Sequence, residues 1–385
     1  MLDHSPPLPL IVDYDVYDGY ITAEDEEEII LSLEQRDRVR RIRLRLPVQT
    51  LEKLIVAIND EYPILEHLML VSPKQGNTIL ILPETLQAPH LRHLVLGGFS
   101  LPIGSRLLTT AVGLVTICLA IIHPSTYIHP NTLLRWISFM PQLETLLVMF
   151  SFPVLNHDVE RQLTRTPITT HVALPNPLTL VFRGASAYME AVVRHVTPPR
   201  LEKLEIYFFN QLTFSIPCLL QLMNTTENLK FGRAKILFSD KGVDVVVYPH
   251  EAKTCAISIE VYCWHLDWQV SSAAQIFNAL SPKFSEVEHL TFEHEVHIWS
   301  SGEEHDEVDR TEWCKLLRSF NTVKTLSVDE GLVRELSCCL QLDDGELLPE
   351  LQELTFSGID DIDDLFTQFI DSRKNAGRPV IMTHR

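Results

Sequence analysis

Glycine is scarce in this chain, 14 of 385 residues, which counts against fingerprints that pack several glycines into one turn, such as dinucleotide folds. Positive charge is short as well. Thirty-two Lys and Arg against 51 Asp and Glu leave a formal net charge of −19, which argues against nucleic acid as a partner. Long apolar runs are missing. The longest uncharged one, Leu107 to Ile122, falls short of the ~20 residues a membrane helix needs and contains threonines and a glycine. It reads as a helix turn running into a buried strand, and no membrane association is expected. Cysteines number seven, an odd count without any Cys-x-x-Cys pair, and Cys338 and Cys339 are adjacent. They read as reduced, apolar, buried thiols. The opening MLDHSPPLPL lacks the basic start and apolar core of a secretory signal. A soluble cytoplasmic or nuclear protein is expected. What is present, 45% apolar residues, suffices for a real core, and the length allows two domains or one elongated array.

One pattern organises the chain: Leu-x-x-Leu-x-Leu, often preceded by Pro-x. It appears as VRRIRL at Val39, LEHLML at Leu65, LRHLVL at Leu91, LVTICL at Leu114 and LETLLV at Leu143. It returns as LEKLEI at Leu201, VEHLTF at Val287, VKTLSV at Val323 and LQELTF at Leu351, with weaker copies near Leu178, Leu229 and Ile257. Such an alternation is a short strand with one face buried. Between the copies lie helical spacings, for example Leu51, Leu54, Ile55 and Ile58, or Leu133, Leu134, Ile137 and Met140. Others are Tyr188, Val192 and His195; Ile276, Phe277 and Leu280; and Leu316, Leu317 and Phe320. Prolines such as Pro63, Pro141, Pro199 and Pro349 stop most helices before the next strand. One strand and one helix cannot bury an apolar face alone, so the units must stack. The expectation is an α/β leucine-rich-repeat solenoid, a horseshoe of about a dozen irregular repeats over residues 39–385. Parallel strands line its concave face, helices cover the convex one, and residues 1–38 form an acidic N-terminal cap segment.

The run ITAEDEEEIILSLEQRDRVRRIRLRLP, with YPILEHLML, APHLRHLVL, MPQLETLLV and HLDWQVSSAAQIFNAL, resembles the leucine-rich-repeat region of basidiomycete (fungal) F-box-type proteins. The resemblance spans nearly the whole chain. It implies a non-catalytic protein-binding domain akin to the substrate-recognition part of an F-box ubiquitin-ligase subunit. Residues 1–38 do not spell an F-box, so a ligase adaptor is an expected partner only if an F-box lies upstream.

Three motifs invite chemistry. Asp13, Asp15 and Asp18 in LIVDYDVYDG end a strand in Asp-x-Asp, the arrangement in which haloacid-dehalogenase-type phosphatases pair a nucleophile with a general acid beside Mg²⁺. Tyr17 stands where that motif wants Thr or Val. The later acidic tract (Asp360, Asp361, Asp363, Asp364) offers no assignable lysine. The Asp13–Gly19 tract also fails as a calcium loop, having one residue too many and no glutamate at the needed offset. A capping strand is therefore preferred to an Mg-dependent phosphatase using Asp13 and Asp15, and no cofactor is expected. His289, His294 and His297 share a strand with Glu293 and Glu295; His289 and Glu293 fall on one face and His294 on the other, a poor zinc set. No metal site is assigned. Trp264, His265, Asp267 and Trp268 read as packing ahead of a helix capped at Ser271 or Ser272.

Charge placement says more. Asp13 to Glu28 carries eight acidic groups and no basic one, Arg36 to Arg45 carries six arginines, and Asp343 to Asp364 holds nine carboxylates. Strand positions between buried leucines should face the concave side. These are Arg41, Arg43 and Arg45; His67 and Met69; His93 and Val95; Lys203, Glu205 and Tyr207; and Glu293, Asp329 and Glu353. A surface running from basic to acidic orients a bipolar protein partner. Arg41, Arg43 and Arg45 would grip an acidic segment, with His93 and Tyr207 as central contacts. Two other readings stay open: the arginines neutralise the Glu24–Glu28 stretch within a cap, or the chain is a structural relative without a partner.

Overall fold

The structure, a computed structural model, describes residues 8–16, 21–72, 79–123, 126–151, 156–176, 178–197, 201–209, 216–225, 231–250, 256–280, 284–295, 310–342, 347–357 and 363–384. The chain divides into two compact units, Met1–Glu202 and Lys203–Arg385. Both are mixed α/β, with mostly parallel strands and eleven α-helices among the described residues; no strand order closes into a barrel.

The first unit begins with β1 (Leu10–Asp15), α1 (Ala23–Leu33), β2 (Val39–Arg45), α2 (Val48–Ala57), β3 (His67–Val71), β4 (Leu80–Ile81), β5 (His93–Gly97) and β6 (Phe99–Ser100). It continues through α3 (Arg106–Thr110), β7 (Thr116–Ile122), α4 (Pro130–Ile137), β8 (Thr145–Phe150), α5 (Asn156–Arg165), β9 (Val172–Ala173), β10 (Leu178–Gly184), α6 (Ser186–Val193) and β11 (Val196–Thr197). Strands β1-β2-β3-β5-β7-β8-β10 pair in that order, each parallel to the next. Each leucine motif supplies a strand, and alternate residues are buried: Ile42 and Leu44, Leu68 and Leu70, Leu94 and Leu96 are at most 1% exposed. That parity follows from the two-residue repeat of a strand. The stretch Leu107–Ile122 is α3 running into β7. At Ile121 the backbone takes φ 55°, and the pairing with β8 shifts between Leu119 and Ile122. This bulge inserts one residue, so Ile122 returns to the buried face.

The helices start where local chemistry says. Thr22 caps α1 in a reciprocal box: its hydroxyl accepts from the Asp25 N–H at 3.1 Å, and the Asp25 carboxylate accepts from the Thr22 N–H. Pro130 opens α4, where its missing N–H costs nothing. The expected apolar faces of α2 and α4 are buried. Tyr62, fully buried, donates its hydroxyl to the carbonyls of Leu33 (3.0 Å) and Ala57 (3.3 Å), tying the ends of α1 and α2 together.

The second unit carries β12 (Leu201–Phe208), α7 (Pro217–Thr225), β13 (Phe231–Phe238), β14 (Gly242–Pro249), β15 (Ile257–Tyr262), α8 (Leu266–Ala279) and β16 (His289–His294). It ends with α9 (Arg310–Leu317), β17 (Thr325–Asp329), α10 (Val333–Leu342), β18 (Glu353–Ser357), α11 (Asp363–Asn375) and β19 (Ile381–His384). Here the uniform parallel succession fails. The order is β12-β15-β14-β13-β16-β17-β18-β19, with β14 antiparallel to both neighbours. The motif near Leu229 therefore lies beside β16, and the Ile257 strand beside β12, the reverse of simple stacking. The cause is GVDVVVYP, a strand that sequence analysis did not mark. Its valines 243, 245 and 247 are fully buried, and tight chain reversal at Ser239–Gly242 sends it back along β13.

A second correction concerns α8. It begins at Leu266, with His265 at the N-cap, so Ser271 and Ser272 lie inside the helix. Ser272 is buried and donates to the Trp268 carbonyl at 2.7 Å. Trp264 and Trp268 do not pack as expected: they are 63% and 44% exposed, and Trp268 meets the His265 ring edge-on.

Candidate functional site

The unburied parity of the first unit's strands forms one open face, and the parallel register sorts it into rows. The first row is Ile11, Arg41, His67, His93, Thr116, Thr145 and Thr179. The next is Asp13, Arg43, Met69, Val95, Cys118 and Leu147, charged at one edge and apolar beyond it, and it ends at Val181, which is buried. Adjacent members of a row stand about 4.8 Å apart, the strand spacing.

The three expected arginines share this face but differ electrostatically. Arg43 reaches Asp13 (3.9 Å) and Asp15 (3.4 Å), and Arg45 reaches Asp15 (3.8 Å). Arg41 sits opposite Ile11, which has no charge to offer, and among the described residues it has no ion-pair partner. The neutralising carboxylates therefore come from β1. Within the Glu24–Glu28 stretch, the alternative partner, Glu26 pairs with Lys53 of α2 at 2.9 Å, and Asp25 serves the α1 cap. Asp13 and Asp15, the candidate phosphatase pair, are thus occupied by guanidinium groups, while Tyr17 and Asp18 fall outside the described residues.

His67 and His93 stack face to face, ring centroids 4.4 Å apart and planes within 4°. Nδ1 of His93 lies 3.2 Å from the Thr116 hydroxyl. Partial burial holds both imidazoles below their ordinary pKa; for His67 the neighbouring ring and Arg41 add to this, for His93 Arg92 and Arg41.

The second unit brings Glu293, Asp329 and Glu353 together. They line a hollow of about 630 Å³ on the open face of β13, β16, β17 and β18, with Arg233, His289 and a ladder of hydroxyls. In the hollow that ladder is Thr291, Ser327 and Thr355 at one register, and Thr383 of β19 continues it beyond the lining. Glu293 pairs with Lys235 at 2.5 Å. Asp329 accepts from the Ser357 hydroxyl at 2.6 Å and Glu353 from Thr383 at 3.1 Å. His289 bonds Thr325 at 2.6 Å on the same face as Glu293, as the strand parity predicts. His294 lies against Gly331, and His297 is outside the described residues. Among the described residues no three metal-ligating side chains are grouped.

Lys203, Glu205 and Tyr207 lie on β12. Lys203 and Glu205 pair with each other at 2.5 Å. Tyr207 stands beside Glu260 of β15, and Asp244 of β14 is next along. Burial raises the Tyr207 phenol, and Glu205, Glu260 and Asp244 add to it. Burial likewise raises the Asp244 carboxyl, although the Ser258 hydroxyl donates to it at 2.9 Å.

Sequence reasoning missed Thr116, Thr145 and Thr179, at the motif position of Arg41 and the two histidines, and Thr291, Ser327 and Thr355, at the motif position of Arg43. Aligning the leucine motifs column by column would have found them. Arg233 and Lys235 lie in the weaker copy near Leu229 and alternate there with the buried Ala234 and Ile236, so the same period-two alternation marks them.

Chemically, these faces offer rows of hydrogen-bond donors and acceptors, with an apolar strip beside the row in the first unit. No helix of the described residues is long and apolar enough to cross a membrane. Compared with known proteins, the chain matches no family model and no curated sequence.

Proposed function

We propose that the chain is a non-catalytic, polypeptide-binding module, a leucine-rich-repeat solenoid whose open strand face is its concave, partner-holding side. Its resemblance to the repeat region of F-box-type proteins suggests substrate recognition, with a ligase adaptor as a further partner only where an F-box precedes the repeats. One observation carries the reading: the same motif column places Arg41, His67, His93 and three threonines in a single row, alongside an apolar strip from Met69 to Leu147. The apolar strip supplies contact area, and the row selects by charge and hydrogen bonding. Arg41 is the anchor for an acidic segment, because Arg43 and Arg45 already have carboxylates.

The test is a peptide array of extended ten-residue segments. Wild-type protein should enrich acidic–apolar peptides. Arg41→Glu should lose them, and the triple charge reversal at Arg41, Arg43 and Arg45 should do little more. An unchanged set of bound peptides in both variants would refute the reading.

A further inference from the structure

We propose that the stacked His67 and His93 rings form a proton-coupled subsite for a carboxylate of the acidic segment that Arg41 anchors. Binding then takes up protons and tightens as pH falls from 7.5 to 5.5. This rests on the acidic-segment reading above.

The argument begins with the stack. Two neutral imidazoles 4.4 Å apart attract by dispersion, whereas two imidazoliums at that distance repel. Burial and the arginines facing the pair make charging harder, while Glu66 and Glu144 oppose them with a smaller effect. Arg41 comes from β2, and Arg40, also of β2, is held by Glu66 at 3.0 Å. Arg92 precedes His93, Glu144 precedes β8, and β7 contributes only the neutral Thr116 hydroxyl. Free protein therefore keeps the pair neutral at pH 7, and both rings sit below the ordinary value of 6.5.

A carboxylate over this part of the row changes the balance. It faces a guanidinium and two imidazoles in line, and its charge offsets the repulsion that disfavours imidazolium. With Nδ1 of His93 engaged by Thr116, Nε2 is the nitrogen left for a ligand. The bound state then holds more protons than the free state. By linkage, affinity rises as pH drops below the histidine range. The occupant is an acidic side chain of an extended polypeptide, because the apolar strip beside the row needs a chain with apolar neighbours to cover it.

The probe is a decapeptide alternating aspartate and valine, its carboxylates ionised throughout pH 5.5–7.5, titrated calorimetrically at fixed salt in two buffers of different ionisation enthalpy. Binding should be about tenfold tighter at pH 5.5, one pKa unit of linkage, with net proton uptake. His67→Gln/His93→Gln should bind alike at both pH values, without uptake. In wild-type protein, proton NMR should show two histidine pKa values rising when peptide is added, a readout that does not depend on the variant's folding. If wild type and the double variant respond equally to pH, and no histidine shifts, the subsite is refuted. Should Arg41→Glu still abolish binding in that case, the acidic-segment reading survives. If wild type binds no better than Arg41→Glu at either pH, both fall.

Discussion

Gln269 of α8 reaches Ser239 at the β13–β14 turn, its amide nitrogen donating to the Ser239 carbonyl at 2.8 Å and to the Cys263 carbonyl at 2.9 Å. The side chain is 1% exposed. One residue thus satisfies two carbonyls where the inserted strand turns and where the chain leaves β15, and it fastens the helix to both. A buried carbonyl left without a donor costs more than an ordinary hydrogen bond contributes.

Replacing Gln269 by Leu should therefore destabilise the protein by about 1–3 kcal/mol. Urea unfolding reads this as a lower midpoint at unchanged slope. A midpoint equal to wild type would mean that the turn does not depend on this amide.

The antiparallel insertion has its own test at Gly242, which pairs with Tyr262. A Cβ there would collide with the Val261 carbonyl oxygen and lie 3.0 Å from its carbon, backbone atoms that cannot swing aside. Gly242→Ala should cost about 1–3 kcal/mol. A neutral substitution would show that β14 does not run against β15 in this register.

Tyr62 yields a pH dependence. Burial pushes its phenol up to about 12, with Arg36 opposing the shift. Below pH 10 neither folded nor unfolded chain ionises this group. Between pH 10 and 12 the unfolded chain releases the proton while the folded one keeps it, so stability falls as pH rises, by an amount on the order of 2 kcal/mol. Tyr62→Phe should cost about 1 kcal/mol at pH 7 through its lost hydrogen bonds and should flatten that decline. A decline of equal slope in the variant would assign it to other groups.

At the β1 edge, Asp13→Asn/Asp15→Asn should free Arg43 and Arg45. Affinity for an acidic peptide should then rise several-fold in low salt, and the gain should shrink at physiological ionic strength as screening sets in. No change at either salt would mean that those arginines lie outside the bound segment.

Much of the fold is written locally. Alternation with period two is a property of adjacent residues, so Ile42 and Leu44, or Leu326 and Val328, announce a buried strand face without reference to any neighbour. For the same reason the complementary column, from Arg41 through His93 to Glu353, was assigned to one side of its strands from sequence alone. Helical spacing likewise placed Leu133, Leu134 and Ile137 inward.

What tertiary structure decided is which segments meet. Hydrogen-bond pairing joins residues far apart in sequence, and neither its direction nor its register is encoded in a leucine motif. Hence the reversal of β13 and β15 around β14, the exposure of Trp264, and the gathering of Glu293, Asp329 and Glu353 at one hollow. Hence too the inequality of three look-alike arginines: the β1–β2 register sets Asp13 and Asp15 beside Arg43 and Arg45 and leaves only an isoleucine beside Arg41.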